Sequence, residues 1–213
     1  QMGFIIPAVR LRDNLELQPN EYRFVFRGQL IATGEVMPGY WLAMNTNNST
    51  DVLPGVQTTE PCFGLPAVWI TEVERKNAEV VGYTVVNPAD VLVTHFSETI
   101  KRHCHQILSR QDVQVLLDNL KENNPALVNE LVPTLLSVGQ VQRVLQNLLS
   151  EGVSIRNLVS VLERVADYAA TTKNPDELSE QARKAIGAQV VKPYLDDNDN
   201  LPAITLDPWL EEE

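Results

Sequence analysis

The rhythm of apolar and polar positions changes near residue 95. Before it, short β-branched and aromatic runs alternate with turn residues: Tyr22-Arg-Phe-Val-Phe26, Leu30-Ile-Ala32, Ala67-Val-Trp-Ile70 and Gly82-Tyr-Thr-Val-Val86. Bounded by Gly28, Gly34, Pro38-Gly39, Pro54-Gly55 and Asn87-Pro88, they read as strands. Between the last two, the segment from Thr71 to Gly82 reads as a short helix closed by its glycine. This predicts a strand–helix–strand unit, with Pro38–Pro61 as a loop-rich approach to it.

After Pro88 the spacing becomes helical. Ala89–Leu108 places Val91, Leu92, His95, Phe96 and Thr99 close to a 3.6-residue period. Ser109-Arg-Gln-Asp112 has the form of a capping box opening the next helix. Asn124-Pro125 starts another helix through Leu131, and Gly139–Leu149 a further one with Gly152 as its C-terminal stop. Ser154 is expected to cap a helix over Ile155–Ala170, and Asn174-Pro175 to open one carrying Leu178–Val191. Residues 109–191 thus predict a compact all-helical module, and the last 20 residues an acidic, proline-bearing tail.

Composition bounds what such a chain does. Its 213 residues are 44% hydrophobic and 21% charged, enough apolar material for a real core. No apolar run approaches the roughly 18 residues of a membrane span, and no signal peptide is visible. Seven acids and no Lys or Arg fall within Tyr194–Glu213, so the net charge of −11 reduces to −4 over the first 193 residues. Neither value suits a phosphate backbone, which argues against nucleic acid as a partner. Two cysteines, Cys62 and Cys104, make no disulfide framework and point to a reducing compartment. Asn48-Ser49-Thr50 matches a glycosylation acceptor but reads as a polar loop.

Candidate chemistry is sparse. His103-Cys104-His105 invites a metal or thiol reading, with His95 upstream, yet residues two apart on a helix diverge by about 200°. A solvated helix end with Cys104 turned inward is the simpler account. Asp196, Asn198 and Asn200 resemble the start of a calcium loop, but Leu201 stands where glycine is needed and Asp207 where a glutamate is. The helices over Val141–Leu149 and Ile155–Ala170 have a helix-turn-helix look without a basic face. No nucleophile elbow, phosphate loop or carboxylate pair is present, and neither cofactor nor metal is expected.

Recognition surfaces are more promising. In the stretch Pro61-Cys-Phe-Gly-Leu-Pro-Ala-Val-Trp-Ile70, Trp69 belongs to a strand and reads as core. Phe63, on a turn between two prolines, is either a plug closing the core or an exposed anchor, and residue type alone favours the plug. Val86 and Val91 flank the Asn87-Pro88 junction, where a cleft is expected.

These stretches, together with Met2-Gly-Phe4, Val9-Arg-Leu-Arg-Asp-Asn14, Gly34-Glu-Val36, Ala89–His95 and Val144-Leu-Gln-Asn-Leu-Leu-Ser-Glu-Gly-Val153, run in order over almost the whole chain. In that order and spacing the chain resembles the cytosolic domain of the flagella/HR/invasion-protein export-pore family, the export-gate component of type III secretion. The uninterrupted Gly64-Leu-Pro-Ala-Val-Trp-Ile70 is closer to its flagellar branch than to its virulence branch.

The resemblance implies an α+β architecture. A discontinuous first subdomain would occupy 1–38 and 88–107, with a small α/β subdomain inserted at 39–87. A helical subdomain would follow at 108–188, then a linker and the start of a largely absent fourth subdomain at 189–213. Both ends then look internal to a longer, membrane-anchored protein at the cytoplasmic face of the bacterial inner membrane. The first subdomain would lack its leading strand, and the open edge would pair with another chain or with a second copy.

The family's work is not catalytic. The resemblance implies a homo-oligomeric ring, commonly nonameric, that receives export chaperones carrying late flagellar substrates. It also implies contact with the export ATPase complex and with the second export-gate protein. Docking would use a hydrophobic dimple built from Glu60, Phe63 and Thr94, with Val86 and Val91 lining the same region. Glu60 replaces the family's usual Asp and is expected at the rim, orienting the partner. A purely structural ring element and a thiol enzyme based on Cys104 are the competing readings.

Overall fold

A computed structural model of the chain describes residues 2–3, 6–47 and 49–202. Two compact units emerge, Pro7–His103 and the residues from Cys104 onward together with the first six.

In the Pro7–His103 unit, β1 (Glu21–Phe26) and β2 (Gln29–Glu35) form an antiparallel ribbon of two strands. Arg27 and Gly28 both adopt positive φ at its tight turn, the backbone twist that two-residue hairpins require. Opposite Gly34, Tyr22 lies so close that a Cβ there would sit 2.4 Å from its hydroxyl. The second sheet is four-stranded, in the order β4 (Val56–Thr59), β5 (Pro66–Ile70), β3 (Trp41–Met44), β6 (Thr84–Val86), with every pair antiparallel. Between β5 and β6 come a 3-10 turn (Glu72–Glu74) and a one-and-a-half-turn helix, α1 (Arg75–Val80).

The strand–helix–strand reading is therefore extended: the stretch read as a loop-rich approach supplies β3 and β4. One face of this sheet packs Ala43, Val68 and Ile70 on Ala78 and Tyr83. The other packs Leu42, Ala67 and Trp69 on Val91 of the long helix α2 (Pro88–Ile107). The ribbon also rests on α2, through Tyr22 and Phe24 against His95 and Phe96, with ring centroids 5.2–5.7 Å apart. Residues 6–16 run beside no strand and expose Val9, Leu11 and Leu15.

The other unit is helical, with α3 (Arg110–Asn123), α4 (Pro125–Asn129), α5 (Val138–Ser150), α6 (Leu158–Ala169), α7 (Pro175–Ala185) and α8 (Gly187–Val191). The capping box at Ser109 and Asp112 forms as expected, and Ser137 with Gln140 makes a second one. Leu145, Leu148, Leu149, Leu162 and Val165 sit at the centre of the core, each almost fully buried.

Three boundaries differ from the sequence expectation. The helix opened by Pro125 stops at Asn129 and gives way to an irregular segment, Glu130–Leu135. There Val132, ahead of Pro133, takes extended backbone (φ −127°, ψ 125°), which ends the helical run. Ser154 does not cap a helix at Ile155. The Ile155 N–H instead bonds the Met2 carbonyl at 3.0 Å, and α6 begins only at Leu158. Close packing of Gly3 holds that contact, since a Cβ there would lie 2.6 Å from the Arg156 nitrogen. The helix expected to reach Val191 breaks at Ile186, which leaves helical backbone (φ −112°, ψ 19°) and buries itself in the core. The fourth-subdomain strand expected around Leu201–Pro208 lies mostly outside the described residues.

Candidate functional site

The loop joining β4 to β5 is six residues, Glu60–Leu65, closed by the Glu60 N–H donating to the Leu65 carbonyl at 2.8 Å. Its shape comes from Glu60. One carboxylate oxygen accepts from the Cys62 N–H at 2.8 Å and the other from the Phe63 N–H at 2.7 Å. A side-chain acceptor two and three residues before two N–H groups is the pattern of a helix N-cap, applied here to a turn. Gly64 takes positive φ (+71°) and donates to the Glu60 carbonyl, which completes the turn.

With its polar groups satisfied from below, the turn presents Phe63 outward. That ring is 63% exposed, whereas Glu60 is 4% and Cys62 3% exposed. Phe63 is thus exposed and does not plug the core. Glu60, expected at the rim, is buried, because its charge is engaged by the turn's own amides. Trp69 is 2% exposed and belongs to the strand, as its residue type predicted.

α2 supports the loop from its other side. The Arg102 guanidinium donates to the Cys62 carbonyl at 2.7 Å, and the Cys62 thiol lies 4.0 Å from the Thr94 carbonyl. Glu60, Phe63 and Thr94 are therefore brought together through Cys62, and Thr94 is exposed on α2. Val91 is 3% exposed and packs under the sheet with Leu42 and Trp69, while Val86 is half-buried against the same cluster. Neither valine is a free surface residue. Both pack with Leu42, Ala67 and Trp69 on one face of the sheet.

Under the loop lies a polar group that sequence reasoning did not assemble. Tyr22 Oη and His95 Nδ1 are hydrogen-bonded at 2.7 Å, and His95 is 4% exposed. Burial pushes the His95 pKa down; the nearby Glu60 charge opposes this and Arg102 reinforces it. Burial also pushes the Tyr22 hydroxyl up to about 12, helped by the Glu60 charge. In the sequence His95 stood on the apolar face of a helix and upstream of His103-Cys104-His105, with nothing to mark it as a partner of Tyr22. Its aromatic neighbours on β1 could have been inferred from Tyr22 and Phe24 alternating inward.

A folded-state His pKa below the ordinary value near 6.5 means the unfolded chain binds the proton first. Stability is fully present above that value and declines as pH falls through it, by at most about 1.4 kcal/mol per pH unit. Urea unfolding at pH 7.5, 6.5 and 5.5 is expected to show that decline. It should be shallower in His95→Gln, which keeps an acceptor for Tyr22; parallel curves would contradict the assignment.

The other candidate groups fall apart in space. Cys104 is fully buried and donates to the Leu149 carbonyl at 3.5 Å. Burial raises both thiols, which disfavours the thiolate that nucleophilic chemistry needs. Among the described residues no group of three His, Cys, Asp or Glu is placed to hold a metal ion. Asp196 uses its carboxylate locally, accepting from the Asn198 and Asn200 N–H groups, which hold its pKa down. Among the described residues no helix is long and apolar enough to cross a membrane.

The model of the FHIPEP family matches residues 1–213. The chain belongs to the FHIPEP family. Among its FHIPEP relatives is the flagellar biosynthesis protein FlhA of Bacillus subtilis (strain 168), 46% identical over 205 residues. That match covers 96% of this chain and 30% of the relative, so the chain spans about a third of the length of such proteins. Solved structures with the same fold include the Chlamydia pneumoniae CdsV protein, at a TM-score of 0.80 and 24% identity over 99% of this chain and 62% of that one. The nonameric EPEC SctV-C is another, at a TM-score of 0.65 and 18% identity over 90% of this chain and 58% of its own. At such identities the structures establish the mixed α/β fold, and the FlhA relatives place the chain with the flagellar members.

Proposed function

We propose that this chain is a docking platform of the flagellar type III export apparatus, binding export chaperones loaded with late substrates at the Glu60–Leu65 turn. Function here is binding without turnover, by the cytoplasmic part of a membrane-anchored export-gate protein divided into the four subdomains the family resemblance implies. The observation that carries the reading is Phe63. A large aromatic held 63% exposed on a turn fixed by Glu60 and Arg102 loses little entropy when a partner covers it.

The test is a pull-down and titration of purified export chaperones, with and without cargo, against wild type and Phe63→Ala. Binding is expected to disappear in the variant. Its unfolding free energy should stay within about 1 kcal/mol of wild type, the scale of a surface substitution. Unfolding of the variant would make Phe63 structural, and unchanged binding would move the dock elsewhere.

A purely structural ring element is the second reading, favoured by the likeness to the nonameric SctV-C. It differs from the first in one outcome: no chaperone binds the isolated chain, whatever stands at residue 63. The export ATPase complex and the second gate protein would then be contacts of the assembled ring.

A further inference from the structure

Resting on the docking reading, we infer that the charge read by the partner at this surface is positive and belongs to Arg102, so that the partner brings a carboxylate beside its socket for Phe63.

Three observations on α2 and the turn lead there. The acid of the turn is unavailable: Glu60 is buried and both its oxygens are bonded to backbone N–H groups. Arg102 is exposed, and a hydrogen bond of 2.7 Å holds its guanidinium at the Cys62 carbonyl, one residue from Phe63. No ion pair engages it among the described residues, although the neighbouring Lys101 is paired with Glu98 on the same helix.

A guanidinium carries five N–H donors in a rigid fork. One held on a carbonyl leaves the others oriented and still hydrated, which suits a carboxylate approaching from outside. The bond to Cys62 pre-orders the side chain, so less rotamer entropy is lost when that carboxylate arrives. Phe63 supplies the apolar contact from the turn and Arg102 the orientation from α2, bonded to the residue that precedes Phe63. An acid at the rim of the site would select a basic partner. This arrangement selects an acidic one and disfavours a Lys or Arg at the same place.

The experiment titrates a purified export chaperone–cargo complex against the 213-residue chain as wild type, Arg102→Glu, Arg102→Lys and Arg102→Gln, between 50 and 300 mM salt, with thermal unfolding of each variant alongside. Expected are at least tenfold weaker binding for Arg102→Glu, a loss of about threefold or less for Arg102→Lys, and a flatter salt dependence for Arg102→Gln than for wild type. Loss of the Cys62 bond alone would weaken all three variants alike and leave the salt slope unchanged, which overturns the inference. Wild-type affinity in Arg102→Glu overturns it as well. Failure of the docking reading gives a separate result, in which the wild-type chain binds no chaperone at any salt.

Discussion

Trp69→Ala is expected to remove about 3–5 kcal/mol of stability from the Pro7–His103 unit, the cost of deleting a large aromatic from a closed core. Trp69 sits in β5, flanked across the sheet by Leu42 of β3 and Val56 of β4, and is 2% exposed against Leu42, Ala67 and Val91. Removing the indole opens a cavity between sheet and α2 that few neighbours can fill. Gly55 adds to the constraint. A Cβ at that position would lie 2.3 Å from the Trp69 carbonyl, so the start of β4 is fitted closely to β5. The indole N–H has no acceptor among the described residues, and a buried unmet donor costs about 1–3 kcal/mol. Trp69→Phe keeps much of the apolar volume and discards that donor, so it should lose less than half of what alanine loses. Urea unfolding of the three proteins, with a probe of α2 and sheet structure, decides the matter. An alanine variant within 1 kcal/mol of wild type would show that the sheet does not depend on this side chain.

How much of this was legible depended on what each pattern had to say. β1, β2, β5 and β6 carry β-branched or aromatic runs between turn residues and were readable as strands. β3 and β4 were not. Trp41-Leu-Ala-Met44 sits between two sheet partners and lacks a polar face, so no alternation marks it. Val56-Gln-Thr-Thr59 is a mostly exposed edge strand whose polar residues match the surrounding loop. Helix starts were readable where a capping box announced them. Ser154 misled because its helix-start signal was overridden by a contact from Met2, far away in sequence.

The site shows the same division. Proximity of Glu60 and Phe63 is a matter of spacing, and the family resemblance picked out both. The direction each faces is not. An acid beside a proline in a loop reads as solvated, and an aromatic in a turn reads as a plug. Here the two are exchanged, because the carboxylate satisfies two amides that the turn would otherwise strand. The usable clue was the spacing itself: an acceptor followed at two and three residues by unpaired N–H groups. Arg102 gave no such clue, since forty residues separate it from the carbonyl it binds.

Glu60→Ala should therefore damage both the fold and docking without touching Phe63. It strands the Cys62 and Phe63 N–H groups, at about 1–3 kcal/mol for each buried donor left unmet. Water reaches the Phe63 end of the turn more easily than the Cys62 end, so the total should fall at about 2–4 kcal/mol. Glu60→Gln keeps one acceptor oxygen and sets an amide N–H₂ against a backbone N–H, so it should lie between wild type and alanine. The turn would relax first, since the backbone bonds of Glu60 with Leu65 and Gly64 and the Arg102 bond to Cys62 would be left to define it. Chaperone binding should weaken in the order wild type, Gln, Ala, while the salt dependence stays that of wild type because Arg102 is intact. An acid at the rim would behave otherwise: Glu60→Gln would leave stability unchanged and alter the salt slope. Parallel measurement of unfolding free energy and of affinity against salt separates a carboxylate that builds the proposed docking turn from one that meets the partner.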